Sequence, residues 1–231
     1  MRPVADAVSV GGRRLTPLLV DTGSGPARIH LHEVGDPVGA VVLGHGAGGG
    51  VAARDLVAAA DAAGSLRFAI ALVEQPYRVA GRRAPARAPQ LDAAWRAVVS
   101  RLRERELSGL PLVLGGRSAG ARVACRTAED CGAVAVLCLA FPLRPPRRTG
   151  SGPAPPAPDR LPELDLVRVP MLVVQGSSDP FGMPPPSPTR EVVSVRGNHS
   201  LSGDLDGVRA AVSDWLARVV SSGSRASLRS A

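Results

Sequence analysis

Three side chains spread along the chain, Ser118, Asp179 and His199, are of the types that together turn a hydroxyl into a nucleophile. A serine hydroxyl is a poor nucleophile near neutral pH and needs a base within hydrogen-bond reach, a role that His199 would fill. Asp179 would orient the imidazole and stabilise its cation. Each of the three follows a predicted strand, and parallel strands end at one edge of a sheet. We therefore expect the three side chains to converge at that edge.

The serine lies at the centre of the motif Gly-Arg-Ser-Ala-Gly at residues 116–120. An apolar stretch that begins at Leu110 leads into the motif, and residues 121–130 have a helical pattern. This succession predicts a strand, a sharp turn and a helix, with the serine at the tip of the turn. The two glycines fit this interpretation, because a strand and a helix that pack closely leave no room for side chains there.

An oxyanion that forms at the serine needs two hydrogen-bond donors. The sequence offers the backbone N–H of Ala119, directly after the serine, and that of Ala47, within the glycine-rich loop 44–50. Such a loop brings N–H groups close to a bound anion. Phosphate binding is the competing interpretation of the loop. The lysine-containing phosphate motif is absent, however, and the chain has no lysine, which excludes a P-loop.

Two of the three residues also have a simpler interpretation. Asp179 precedes Pro180 and could merely begin a turn, and His199 could supply turn polarity. Of the four histidines, only His199 follows both the serine and the acid at the end of a predicted strand. Taken together, the three residues favour catalysis over three unrelated turns.

Other polar residues near strand ends are not assigned to the site. His30 and His32 share one face of a predicted strand, which is half of a metal site at best, and we expect exposed strand histidines and no metal. Glu74 ends another strand, where it either lines the pocket or pairs with a nearby arginine at the surface. Both interpretations of Glu74 stay open.

Composition narrows the class of protein. A chain of 231 residues is long enough for one α/β domain with a full core. The net charge of +8 comes from scattered arginines, and only 3% of residues are aromatic, whereas nucleic-acid sites cluster arginines and aromatics on one face. No apolar run approaches a membrane span, and the N-terminal residues lack the apolar segment of a leader. We predict a cytoplasmic protein with a small-molecule substrate and no nucleic-acid, membrane or cofactor partner.

The cysteines fit the same prediction. Cys125, Cys131 and Cys138 are odd in number and lack the spacing of metal ligands. We expect buried free thiols in a reducing compartment.

Hydrophobic periodicity predicts the elements that must hold the site. Residues 1–14 are expected to form a loose arm, residues 15–220 a single α/β domain, and residues 221–231 a disordered tail. Within the domain, a proline- and arginine-rich insertion at 141–165 is too rich in proline for a helical cap domain and is expected to form a loop over the sheet edge. The predicted strands are 15–20, 27–34, 40–43, 68–73, 110–115, 133–140, 171–174 and 191–195, and the predicted helices are 51–63, 90–107, 121–130 and 204–220.

Five motifs carry a resemblance to a known family. They are LGHGAGGG (43–50), GGRSAGARVA (115–124), FPL (141–143), QGSSDPFG (175–182) and GNHSL (197–201). Through them the chain, from about residue 40 to 220, resembles the α/β-hydrolases related to dienelactone hydrolase. More narrowly, it is similar to a group that includes testis-expressed hydrolase-like proteins and a hydrolase-like subunit of a chromatin acetyltransferase complex.

The resemblance implies an α/β-hydrolase fold, with a mostly parallel sheet of the eight-stranded type in shortened form, helices on both faces and no separate cap domain. It also implies that Ser118, Asp179 and His199 occupy the family's triad positions. Dienelactone hydrolase itself has a cysteine nucleophile where this chain has Ser118.

Residues and resemblance together predict a serine hydrolase that cleaves a carboxylic ester, a thioester or a related acyl compound through an acyl-enzyme intermediate. The alternative is a non-catalytic protein of the same fold that binds a partner, for instance through the loop 141–165. The presence of all three polar groups favours the enzyme, because a scaffold has no physical need of them.

Overall fold

The computed structural model describes residues 9–227, except for residue 11, residue 15 and residues 146–157. The strands are β1 (Ser9–Val10), β2 (Arg13–Arg14), β3 (Thr16–Val20), β4 (Ala27–His32), β5 (Gly39–Gly44), β6 (Phe68–Glu74), β7 (Leu112–Arg117), β8 (Ala135–Leu139), β9 (Met171–Gly176) and β10 (Arg190–Val195). The helices are α1 (Arg54–Ser65), α2 (Pro76–Val79), α3 (Ala88–Glu104), α4 (Ala119–Thr127), α5 (Leu161–Asp165) and α6 (Leu205–Ser227).

Eight strands form one sheet in the order β10-β9-β8-β7-β5-β6-β4-β3. The six strands from β10 to β6 are parallel, and β4 and β3 add an antiparallel pair at the edge, as the sequence predicts. The chain runs from β5 to β6 on one side and then returns to place β7 on the other side of β5. Ligands bind at such a reversal of strand order in open α/β sheets, beyond the carboxyl ends of the strands.

Helices cover both faces of the sheet and bury its apolar residues. Strand β5 shows the alternation: Val41 and Leu43 belong to the core shared with α1 and α6, whereas Ala40 and Val42 belong to the core shared with α3 and α4. All four side chains are fully buried. This two-sided burial explains why the central strands are continuous apolar runs rather than alternating ones.

The structure has elements in two segments where the sequence predicts none. Residues of the expected N-terminal arm form the antiparallel pair β1–β2, and Val10 of this pair is buried against α1. Helix α6 continues to Ser227, beyond the predicted end at residue 220, and residues 228–231 of the expected tail lie outside the described residues. The sheet is also not shortened, since it has all eight strands.

The proline-rich insertion at 141–165 is described only at its two ends. Residues 146–157, where the expected lid or partner loop falls, lie outside the described residues. Helix α5 occupies the end of the insertion and buries Leu164.

Within the described ranges, no helix combines the length and mean hydropathy that crossing a bilayer requires. The same residues contain no group of three or more histidine, cysteine, aspartate or glutamate side chains arranged to hold a metal ion. The three cysteines are free and buried, which confirms that part of the prediction.

His30 and Glu74 form a polar cluster on the antiparallel edge. His30 is buried rather than exposed as expected, and its Nε2 lies 3.4 Å from Glu74 Oε2. Arg28 Nη1 donates to the same oxygen at 2.9 Å. The register of β4 and β6 places Arg28 opposite Glu74, which explains why two residues far apart in sequence become partners. Glu74 is thus the carboxylate of an ion pair, one of the two interpretations left open.

We expect Glu74→Gln to lower the free energy of unfolding by about 1.5–3 kcal/mol at neutral pH, the usual order for hydrogen bonds to a charged group. Burial raises the pKa of the Glu74 carboxyl, but the hydrogen bonds and charges of His30 and Arg28 outweigh it and hold the pKa below its ordinary value. The carboxylate therefore stabilises the fold above its unfolded-state pKa, and this contribution is lost as pH falls through the lower folded-state pKa. Urea unfolding of both proteins at neutral and acid pH measures this, and an equal difference at both would contradict it.

Candidate active site

Ser118 stands at a strained turn between β7 and α4. Its backbone has φ 52° and ψ −109°, a conformation that non-glycine residues rarely adopt. The Ser118 N–H donates to Leu139 O at 2.9 Å, which ties the turn to the neighbouring strand β8. A Cβ at Gly116 or at Gly120 would overlap the carbonyl oxygen of Gly44. The two glycines are thus required for β5, β7 and α4 to approach so closely.

The structure brings together the three side chains that the sequence singles out. His199 Nε2 lies 2.9 Å from Ser118 Oγ, and His199 Nδ1 lies 2.8 Å from Asp179 Oδ2. A carboxylate only accepts hydrogen bonds, so Nδ1 carries the proton and Nε2 is left to accept from the serine hydroxyl. The Asp179 side chain is 1% exposed and that of His199 is 19% exposed. The imidazole of His199 is therefore accessible to solvent, whereas the carboxylate of Asp179 is not.

The Asp179 carboxylate is fixed by donors other than the imidazole. Phe181 N–H donates to Oδ1 at 2.9 Å, and Gln175 Nε2 donates to Oδ2 at 2.8 Å. The amide of Gln175 also lies 3.1 Å from Phe141 O and 2.9 Å from Gly182 O. Gln175 is fully buried, and sequence analysis missed it. The available signal was a polar residue at the end of an apolar strand, four positions before the acid.

The loop that carries His199 is held against the turn that carries Asp179. Ser178 donates to Gly197 O through both its N–H, at 3.0 Å, and its hydroxyl, at 2.9 Å. The rings of Phe181 and His199 have centroids 4.3 Å apart and an interplanar angle of 36°. The contact between the rings restricts rotation of the imidazole and so favours the orientation in which it makes both hydrogen bonds.

The glycine-rich loop after β5 lies directly beside Ser118. A Cβ on Gly46 would be 3.5 Å from Ser118 Cβ. His45 fixes the start of the loop, because its Nδ1 donates to Gly46 O at 2.7 Å and its Nε2 accepts from Gln75 N–H at 3.1 Å. Burial lowers the pKa of His45, so the ring stays neutral, as both hydrogen bonds require. This histidine is therefore structural.

The two predicted oxyanion donors belong to segments that adjoin the serine: Ala119 follows Ser118 directly, and Ala47 follows Gly46, which lies beside Ser118. Ala119 is the first residue of α4, and the N–H groups of a first helical turn have no partner within the helix. Tyr77 Oη donates to Ala47 O at 3.0 Å and so fixes the orientation of residue 47. In the part of the chain that the structure describes, neither Ala47 N–H nor Ala119 N–H donates to another residue.

Comparison with known proteins shows which family the chain belongs to. A family model described as "Alpha/beta hydrolase domain" matches residues 37–201, from just before β5 to just after His199. Among curated proteins, none matches the chain in sequence.

Several solved structures are similar to the chain over almost its whole length. An α/β serine hydrolase without a lid from Xanthomonas campestris is 19% identical, with a TM-score of 0.65, over 91% of this chain and 97% of that one. The protein Est1E from Butyrivibrio proteoclasticus is 14% identical, with a TM-score of 0.69, over 89% and 99%. Dienelactone hydrolase from Anabaena variabilis is 16% identical, with a TM-score of 0.67, over 88% and 97%. These likenesses confirm the predicted α/β-hydrolase fold.

The strain at Ser118 gives a prediction about stability. Residues held at positive φ cost of order 1–3 kcal/mol, and glycine adopts that region freely but loses about 1 kcal/mol through the flexibility of the unfolded chain. We expect Ser118→Gly to be more stable than Ser118→Ala by about 1 kcal/mol. Both variants lose the hydroxyl, so the comparison isolates the backbone. Thermal unfolding measures the difference, and an alanine variant at least as stable would show that the turn is not strained.

Proposed function

Because the chain belongs to the α/β-hydrolase domain family, we propose that it is a serine hydrolase that cleaves a carboxylic ester, a thioester or a related acyl compound. The observation that carries the proposal is the continuous hydrogen-bond chain from Ser118 through His199 to Asp179. In that chain the serine hydroxyl donates to Nε2 of His199, and Nδ1 of His199 donates to Asp179, so the imidazole is placed to take the proton of the hydroxyl. The similarity of the fold to esterases supports an ester or another activated acyl group as substrate.

In the proposed reaction, Ser118 Oγ attacks the acyl carbon while His199 Nε2 takes its proton. The carbonyl π bond becomes an oxyanion, and a bond from Oγ to carbon forms. When the tetrahedral intermediate collapses, the bond to the leaving alcohol or thiol breaks, and the imidazolium returns its proton to that group. Water then repeats the same steps on the acyl-enzyme, which releases the acid and restores Ser118.

Asp179 has two roles in this proposal. Its negative charge stabilises the imidazolium that forms in each half of the reaction, and its hydrogen bond keeps the proton on Nδ1. Gln175 and Phe181 N–H hold the carboxylate in place for both roles. The proposed steps use only these protein groups, the substrate and water.

The oxyanion would be held by the N–H groups of Ala47 and Ala119. The closeness of Gly46 to Ser118, the hydrogen bond that fixes the carbonyl of Ala47, and the position of Ala119 at the start of α4 support this assignment. Removal of one such donor typically raises the barrier by about 3 kcal/mol.

The narrower similarity to the testis-expressed and chromatin-complex group stays a prediction from the motifs.

We expect Ser118→Ala and His199→Ala each to lower kcat by on the order of 10⁴-fold or more on a reactive ester, with little loss of stability. A panel of esters and thioesters of increasing acyl length serves as the assay. A fluorophosphonate probe should label the wild-type protein and leave Ser118→Ala unlabelled. Folded wild-type protein without labelling or turnover would instead favour the non-catalytic alternative.

A second prediction concerns the oxyanion loop. Tyr77→Phe removes the hydroxyl that donates to Ala47 O and leaves the ring in place. We expect kcat to fall by roughly 3- to 10-fold with KM nearly unchanged, because a lost hydrogen bond of about 1 kcal/mol would loosen a donor used mainly in the transition state. Steady-state kinetics on the best ester measures it. A rise in KM alone would place Tyr77 in substrate binding instead.

A further inference from the structure

Arg117, the residue before the proposed nucleophile, contacts three separate segments that form the site. Its Nε donates to Asp55 Oδ2 at 2.7 Å, and its Nη2 donates to the backbone oxygen of His199 at 3.0 Å. Its Nη1 fills the space beside the glycine-rich loop, where a Cβ on Gly46 would lie only 2.7 Å from it. Sequence analysis assigns no role to this residue.

The Asp55 carboxylate on helix α1 holds the Arg117 side chain in one position. The Asp55 side chain is 1% exposed, and its other oxygen accepts from Leu56 N–H at 2.9 Å. The Arg117 side chain is 18% exposed, so the pair is shielded from solvent and weakly screened. Burial raises the pKa of the Asp55 carboxyl, while the charge and hydrogen bond of Arg117 oppose that rise. The Arg117 guanidinium therefore favours the charged form of the buried Asp55 carboxylate.

We propose that Arg117 is a positioning residue that fastens the backbone of His199 to α1, so that the imidazole stays within reach of Ser118 Oγ. The inference rests on the proposed function of that site. The turn after His199 supports the need for such a fastening, since Leu201 has a positive φ of 52°. The planar fork of an arginine suits the task, because it reaches two acceptors in fixed directions, which a lysine ammonium cannot do in the same way.

Arg122 offers a matched control. It lies on α4, one helical turn after Ser118, and also makes a partly buried ion pair, through Nε and Nη2 to the two oxygens of Glu163 at 2.8 and 2.5 Å. Neither Arg122 nor Glu163 contacts the loops that carry His199 or Asp179 through a hydrogen bond in the described residues. Arg117→Met and Arg122→Met therefore each break one ion pair, but only Arg117→Met also removes a side-chain hydrogen bond to a residue of the site; the backbone N–H of residue 122, which donates to Ser118 O, is kept in Arg122→Met.

We expect Arg117→Met to lower kcat by roughly 10- to 100-fold with KM within about twofold, since a small misplacement of a catalytic group can cost about 10²-fold. Arg122→Met should keep the wild-type kcat even if its Tm falls as much. Arg117→Lys should regain only part of the loss. Amide hydrogen exchange should become faster in residues 196–204 of Arg117→Met and stay unchanged there in Arg122→Met.

These measurements separate the two proposals. Activity that Ser118→Ala abolishes, together with equal kcat and equal exchange in the two methionine variants, would overturn the role of Arg117 and leave the hydrolase intact. Absence of activity in the wild type would overturn the hydrolase, and the exchange comparison would still decide whether Arg117 holds the loop. Should Arg117→Met not fold, Arg117→Lys compared with Arg122→Lys gives the same exchange readout.

Discussion

The candidate active site depends on one close contact between backbones. The carbonyl of Gly44, at the end of β5, occupies the space that side chains at Gly116 and Gly120 would need. This contact brings the turn after β7 against the loop after β5, and Gly46 of that loop lies directly beside Ser118. Within the same turn, Ser118 keeps a backbone conformation that non-glycine residues rarely adopt. The proposed nucleophile and the loop with one of its proposed oxyanion donors are thus held together by the same packing.

The sheet supplies the second requirement, a common edge. Ser118 follows β7, while the acid and the base follow β9 and β10, two and three strands away. All of these strands are parallel, so their carboxyl ends face the same side. Two side chains then complete the alignment: the Gln175 amide fixes the Asp179 carboxylate, and the ring of Phe181 lies against that of His199. Backbone topology brings the groups near, and buried hydrogen bonds set their final distances.

Sequence patterns predicted the strands and the helices well because burial on both faces leaves continuous apolar runs, and these need no knowledge of partners. They failed where polar residues meet across the fold. Gln175 reaches Phe141 O, 34 positions earlier, and Arg117 reaches His199 O, 82 positions later. His30 contacts Glu74, 44 positions later, because β4 and β6 pair in a register that brings the two side chains together. No local pattern encodes such pairings. Periodicity also gives no signal for short or polar elements. Strands β1 and β2 have only two residues each, and the last turns of α6 have a polar composition.

The crowding around Gly44 also limits how proteins of this design can diverge. Because the space at Gly116 and Gly120 is already filled by a carbonyl group, every replacement there adds atoms that the neighbouring strand must move to accept. Inherited substitutions are therefore expected to accumulate in side chains outside this contact, while the turn itself stays unchanged.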